Sequence, residues 1–174
     1  MIRDMLDNYI LWLLPDEASS DYFSKIISVL SEKYQAKPFV PHITIGRVPD
    51  IPLSVVRHRV DTIGQKTEPF DAKVKKVWCR EKSSEKISVE IYDSPHLQNI
   101  LSLIDKEFEG SYGKSEYPHL SLLYGDFMCS ELQVETESLN HMILNRFKIT
   151  SIALVALDGE PDEWKVNHRV ELGS

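Results

Sequence analysis

Apolar and polar positions along the chain alternate between two periods, and the changes of period mark out strands and amphipathic helices in turn. Tyr9 to Leu14 form an apolar run that stops at Pro15-Asp16, which predicts a strand. A helix follows over Ser19 to Tyr34, with Phe23, Ile26, Ile27, Leu30 and Tyr34 at helical spacing. The next strand starts at Pro41-His42-Ile43-Thr44-Ile45, and Leu53 to Ile63 read as a helix. Phe70, Ala72, Val74 and Trp78 predict a strand that returns through Lys82-Ser83-Ser84 into Ile87 to Tyr92, making a hairpin. Ser94 and Pro95 supply the cap and first turn of a helix with Leu97, Ile100, Leu101, Ile104 and Phe108 on one face. A strand at Pro118-His119-Leu120-Ser121-Leu122 comes next. Ser130 with Gln133 predicts a capping box opening a helix to about Asn145. Lys148 to Leu157 and Trp164 to Leu172 then form a terminal hairpin around Asp158-Gly159-Glu160-Pro161.

These elements conceal a repeat. Each of the five apolar positions of the Leu97 helix lies 74 residues beyond its counterpart in the Phe23 helix, and His119 lies 77 beyond His42. A strand, helix and strand unit is thus used twice, with a slightly longer loop in the second copy. The expected fold is α+β: two pseudo-symmetric lobes, each an antiparallel sheet with flanking helices, and an active site in the cleft between them. With no low-complexity linker, residues 1–174 should form one two-lobed domain, with a terminal lobe of about 1–48 and 130–174 and a central lobe of about 68–128.

The histidine strands carry the chemistry. Nine prolines and six histidines in 174 residues predict only about 0.3 Pro-His pairs by chance, yet two occur with Ser or Thr two residues on and an aliphatic residue three on. Pro95-His96 opens a helix and lacks that pattern. On a strand, residues i and i+2 share a face, so His42 projects with Thr44 and His119 with Ser121, while Ile43, Ile45, Leu120 and Leu122 face the core. Two imidazoles can supply one base and one acid near neutral pH, and two hydroxyls can hydrogen-bond the non-bridging oxygens of a phosphate. This set suits the opening of a cyclic phosphodiester, with His42 and His119 catalytic and Thr44 and Ser121 phosphate-binding. Which histidine is the base stays open. His58, His96, His141 and His168 have no such companions and read as surface or capping residues.

Composition narrows the partners. A formal charge of -7 and a pI near 5.4 disfavour tight binding to long nucleic acid, which draws its affinity from Lys and Arg. The basic cluster Arg57-His58-Arg59 and the run Lys73 to Arg80 read as solvated faces. No window is apolar enough to span a membrane, and the mixed charges of Met1 to Asn8 do not suit a secretory leader, so the expected setting is cytoplasmic, as a monomer. Cys79 and Cys129 lie far apart and outside any C-x-x-C or metal pattern; both are expected to be ordinary thiols. No cofactor and no metal are expected, since neither H-x-x-x-H nor a carboxylate cluster accompanies the two histidines.

The paired H-x-T and H-x-S strands, with Trp12-Leu13-Leu14-Pro15-Asp16-Glu17, Phe39-Val40-Pro41-His42, Pro118 to Tyr124 and the Trp164 hairpin, resemble the two-histidine phosphoesterase superfamily, and within it the plant and fungal cyclic phosphodiesterases. The resemblance implies hydrolysis of ADP-ribose 1'',2''-cyclic phosphate to ADP-ribose 1''-phosphate, and of nucleoside 2',3'-cyclic phosphates to 2'-phosphates. It also implies that Trp12 and Tyr124 lie near substrate. Trp12 could equally be core, and Tyr124 has the parity of Leu120 and Leu122, so a bulge or strand end at Leu123 would be needed to turn it toward His119. The likeness does not extend to the paired cysteines of a redox-sensitive loop. Two other readings remain: an RNA 2',3'-cyclic or 2',5'-oligonucleotide phosphodiesterase of the same superfamily, and a nucleotide-binding module without turnover.

Overall fold

The computed structural model describes residues 9–115 and 117–174; the expectation for Met1 to Asn8 lies outside them. Among the described residues the elements run β1 (Tyr9–Pro15), α1 (Glu17–Tyr34), β2 (Ile43–Arg47), α2 (Leu53–Lys66), β3 (Phe70–Cys79), β4 (Glu85–Ile91), α3 (Pro95–Glu107), β5 (Gly113–Lys114), β6 (His119–Tyr124), α4 (Gln133–Met142), β7 (Arg146–Ala156) and β8 (Lys165–Glu171). The fold is α+β, as the sequence predicts, with four α-helices on one antiparallel sheet of eight strands. Asp16 caps α1 by accepting from the Ser19 amide, and Ser94 does the same for α3 through Leu97. The expected capping box at Ser130 is absent. Ser130 instead lies in a 3-10 turn, Cys129–Leu132, whose entry is fixed by the Glu131 carboxylate on the Met128 amide, and α4 ends at Met142 rather than Asn145.

The strand order β1-β2-β6-β4-β3-β7-β8, with β1 also pairing β7, closes a ring in which only β8 and the two-residue β5 stand outside. The two copies of the repeat are β1-α1-β2 and β4-α3-β6, and they meet where β2 pairs β6 through Ile43 and Leu120. On the far side the ring is completed by β3 against β7, from Phe70 with Ile149 to Lys73 with Arg146. The strands of the two halves are therefore one continuous sheet.

One face of that sheet, with Leu11, Leu13, Ile43, Ile45, Ile87, Val89, Leu120 and Leu122, packs on the helices around Phe23, Ile27, Val60, Ile100 and Ile104. The opposite face carries a smaller apolar cluster, Ile10, Trp12, Leu14, Ala153 and Val155 with Trp164 against it, and this face holds the polar groups described next. Alternation along each strand decides which side chain goes where.

The cysteines depart from expectation. Cys79 and Cys129 form a disulfide across 50 residues of chain, their Cα atoms 5.7 Å apart. Cys79 ends β3 and Cys129 opens the turn after β6, and the folding of β3-β4-β6 into one sheet brings those ends together. Sequence spacing excludes a local motif but says nothing of such long-range proximity.

Candidate active site

The single pair Ile43 with Leu120 fixes the register of the two histidine strands. Antiparallel continuation puts Thr44 across from His119 and His42 across from Ser121. Ile43 and Leu120 point to the helix-covered core, so all four polar groups share the other face. Trp12 pairs with Thr44 from the β1 side, and Ser88 and Glu90 pair with Ser121 and His119 from the β4 side.

Each histidine is oriented in the same way. Nδ1 of His42 lies 2.6 Å from the Val40 carbonyl, and Nδ1 of His119 lies 2.8 Å from the Tyr117 carbonyl, in both cases two residues upstream. A carbonyl oxygen only accepts, so Nδ1 carries a proton in each ring and Nε2 is left for chemistry. The Nε2 environments differ. Nε2 of His42 has no partner among the described residues, and the ring lies flat on Trp12, centroids 3.6 Å apart at 10°. Nε2 of His119 is 2.8 Å from the Glu85 carboxylate.

The electrostatics follow from those surroundings. Burial, the dominant cause, pushes the His42 imidazole down to about 4; the Val40 hydrogen bond and the Glu85 charge oppose this, and His119 adds to it. His42 is thus neutral near neutral pH, with an unprotonated Nε2. Burial opposes charge on Glu85 too, but the hydrogen bond and charge of His119, with Arg80 and Tyr124, outweigh it and hold the carboxyl below its usual range. Ionised Glu85 and the Tyr117 carbonyl both only accept, so each ring nitrogen of His119 faces an acceptor, whereas only Nδ1 of His42 does.

The structure answers the geometric questions at Tyr124 and Trp12. β6 pairs Ser121 with Ser88 but Leu123 with Ile87, so Leu122 is the extra residue of a bulge, and Tyr124 ends the strand opposite Glu85. Its hydroxyl donates to Glu85 at 3.3 Å and also meets Ser121. Burial, then the Glu85 charge, raises the phenol well above its ordinary range. Trp12 is 1% exposed and supports the His42 ring from below. The more open aromatic is Trp164, whose ring stands edge-on to Trp12, His42 and Tyr124. With Tyr124, Ser84, Gln35 and Phe127 it lines a cavity of 630 Å³; a second, of 280 Å³, is lined by Thr44, Lys75, Glu90, Ser115 and Tyr117.

Glu85 and Arg80 are not singled out by motif, and Trp164 enters the sequence reading only within the hairpin that carries the resemblance. Arg80 departs from the solvated face expected of the Lys73 to Arg80 run: it is partly buried, its guanidinium over Trp78 and Tyr117 and its Nη1 3.7 Å from Glu85. Among the described residues no three His, Cys, Asp or Glu side chains gather as a metal-binding set, and no helix is long and apolar enough to cross a membrane.

No family model matches the chain. It is 24% identical over 120 residues to a cyclic phosphodiesterase of Arabidopsis thaliana, a match spanning 69% of this chain and 66%, just under two thirds, of that protein. E. coli LigT complexed with 3'-AMP superposes with a TM-score of 0.62 and 13% identity, covering 97% of this chain and 99% of LigT. TT0787 of Thermus thermophilus gives 0.64 and 12%, covering 95% and 98%. The chain therefore has the fold of LigT and TT0787, and in sequence it is similar to a plant cyclic phosphodiesterase.

Proposed function

We propose that the protein is a phosphodiesterase that hydrolyses nucleoside 2',3'-cyclic phosphates to 2'-phosphates, and, by its resemblance to the plant and fungal cyclic phosphodiesterases, ADP-ribose 1'',2''-cyclic phosphate to ADP-ribose 1''-phosphate. The observation that carries this reading is the matched orientation of two histidines on adjacent strands, each with Nδ1 tied to a carbonyl and each beside a hydroxyl on the same face. Neutral His42 takes a proton from water as the water oxygen attacks phosphorus. The bond from phosphorus to the ribose 3'-oxygen breaks, and His119 Nε2 gives that oxygen its proton. Thr44 and Ser121 donate to the non-bridging oxygens, where charge concentrates. An anion beside His42 raises its proton affinity, moving a base that is weak in the empty protein toward the working range.

Product analysis on a 2',3'-cyclic nucleotide in EDTA tests the reading. The expected product is the 2'-monoester at an undiminished rate. Loss of activity in EDTA that a divalent ion restores would overturn the side-chain mechanism, and binding without product would make the protein a nucleotide-binding module.

A further inference from the structure

Of the two working nitrogens, only that of His42 has no hydrogen-bond partner among the described residues. Both rings are buried, but in His119 Nδ1 is held by Tyr117 and Nε2 is covered by the Glu85 carboxylate at 2.8 Å. A carboxylate that merely oriented a catalytic imidazole would sit on the nitrogen away from the reaction, as the Tyr117 carbonyl does. Glu85 sits on the other one. It also hydrogen-bonds Tyr124, which meets Ser121, so it touches the acid and reaches toward one of the two hydroxyls assigned to phosphate. Those are the contacts a phosphate would make.

The surroundings give the carboxylate somewhere to go. Arg80 Nη1 lies 3.7 Å from the Glu85 oxygen that bonds His119, and Arg80 Nε is buried with no partner. The Glu85 side chain is 23% exposed, whereas its backbone is anchored: it follows the β3-β4 turn, where buried Lys86 donates to the carbonyls of Arg80 and Glu81. The Arg80 guanidinium is thus near enough for the Glu85 side chain to pair with it in place of His119 while the strand stays put.

We propose that Glu85 is a stand-in for the substrate phosphate: it occupies Nε2 of His119 in the empty site and passes to Arg80 when a phosphate arrives. This deepens the proposed function, resting on its placement of phosphate between the two histidines. Substrate then exchanges one anion for another beside His119.

The test is binding of inorganic phosphate, which needs no turnover. In Glu85→Gln the competing charge is gone, and phosphate should bind at least roughly tenfold tighter by calorimetry, a modest share of the Coulomb energy of a nearby like charge. KM for a 2',3'-cyclic nucleotide should fall by a similar factor. Phosphate affinity unchanged or weaker in the variant, with the defect confined to kcat, would make Glu85 a permanent partner of His119 and overturn the proposal. A crystal structure of the wild type with phosphate checks the same point without a variant: Glu85 is expected on Arg80, and phosphate bound with Glu85 still on Nε2 refutes the exchange. If phosphate binds as described but no cyclic phosphate is opened, the hydrolase reading fails while the exchange stands. Turnover without tightening in Glu85→Gln does the opposite, keeping the hydrolase and removing the exchange.

Discussion

At the scale of single residues, His42 and His119 have the same backbone hydrogen bond but different surroundings, an indole stacked on one ring and a carboxylate on Nε2 of the other. His42→Ala and His119→Ala are each expected to lower kcat by at least about 10², with circular dichroism unchanged. Near-normal turnover in either would reduce that histidine to a structural role. Thr44→Val keeps the β-branched shape and Ser121→Ala the volume, and each should cost roughly 10- to 10³-fold in kcat with a smaller change in KM. Burying a neutral His42 also affects stability. Between the ordinary value of 6.5 and about 4 the unfolded chain takes up a proton that the folded protein refuses, so this contribution is complete above that window and is lost as pH falls through it. Urea unfolding at pH 7 and pH 5 should show His42→Phe losing less stability on acidification than wild type, by roughly 2 kcal/mol. Equal losses would mean that the folded protein charges this histidine freely.

At the scale of elements, the strands and helices were legible because each carries its period on a clean background: Phe23 to Tyr34 and Leu97 to Phe108 repeat at helical spacing, and Pro41 and Pro118 each stand just ahead of a histidine strand. The bulge at Leu122 was only conditionally legible. Leu122 and Leu123 are both fully buried, an arrangement two-residue alternation does not produce, and nothing in the local sequence says which of them is the extra residue. Glu85 was invisible for a related reason, since a lone carboxylate near a hairpin turn has no periodicity and gains meaning only when β4 lies beside β6. The added strand β5 depends on one small residue. A Cβ at Gly46 would meet the Gly113 carbonyl oxygen at 2.2 Å, so Gly46→Ala should push β5 off β2 and cost about 1–3 kcal/mol in urea unfolding. An unchanged midpoint would show that β5 shifts aside at no cost.

For the molecule as a whole, the ring of strands and the Cys79–Cys129 bridge act on the same region. The bridge ties the end of β3, next to Arg80, to the turn that follows Tyr124, and so joins the two segments that flank Glu85. Closing a loop of about 50 residues can stabilise a fold by up to about 4 kcal/mol, and the double variant Cys79→Ser, Cys129→Ser should unfold at lower urea than wild type. Coincident unfolding curves would show that the bridge constrains nothing the sheet does not already hold. The near-twofold repeat reaches further, into the regiochemistry of the product. A ribose cyclic phosphate has two bridging oxygens, and two histidines with two hydroxyls related by a half-turn cannot by themselves tell one from the other. Were the histidines to trade roles, the opposite bond would break and the isomeric monoester would form. What separates the halves is the company each histidine keeps, an indole for one and an acid for the other. If the proposed hydrolysis holds, the choice between 2'- and 3'-monoester would have to come from such differences between the two halves and from how the ribose is seated, since the repeated groups themselves do not make it.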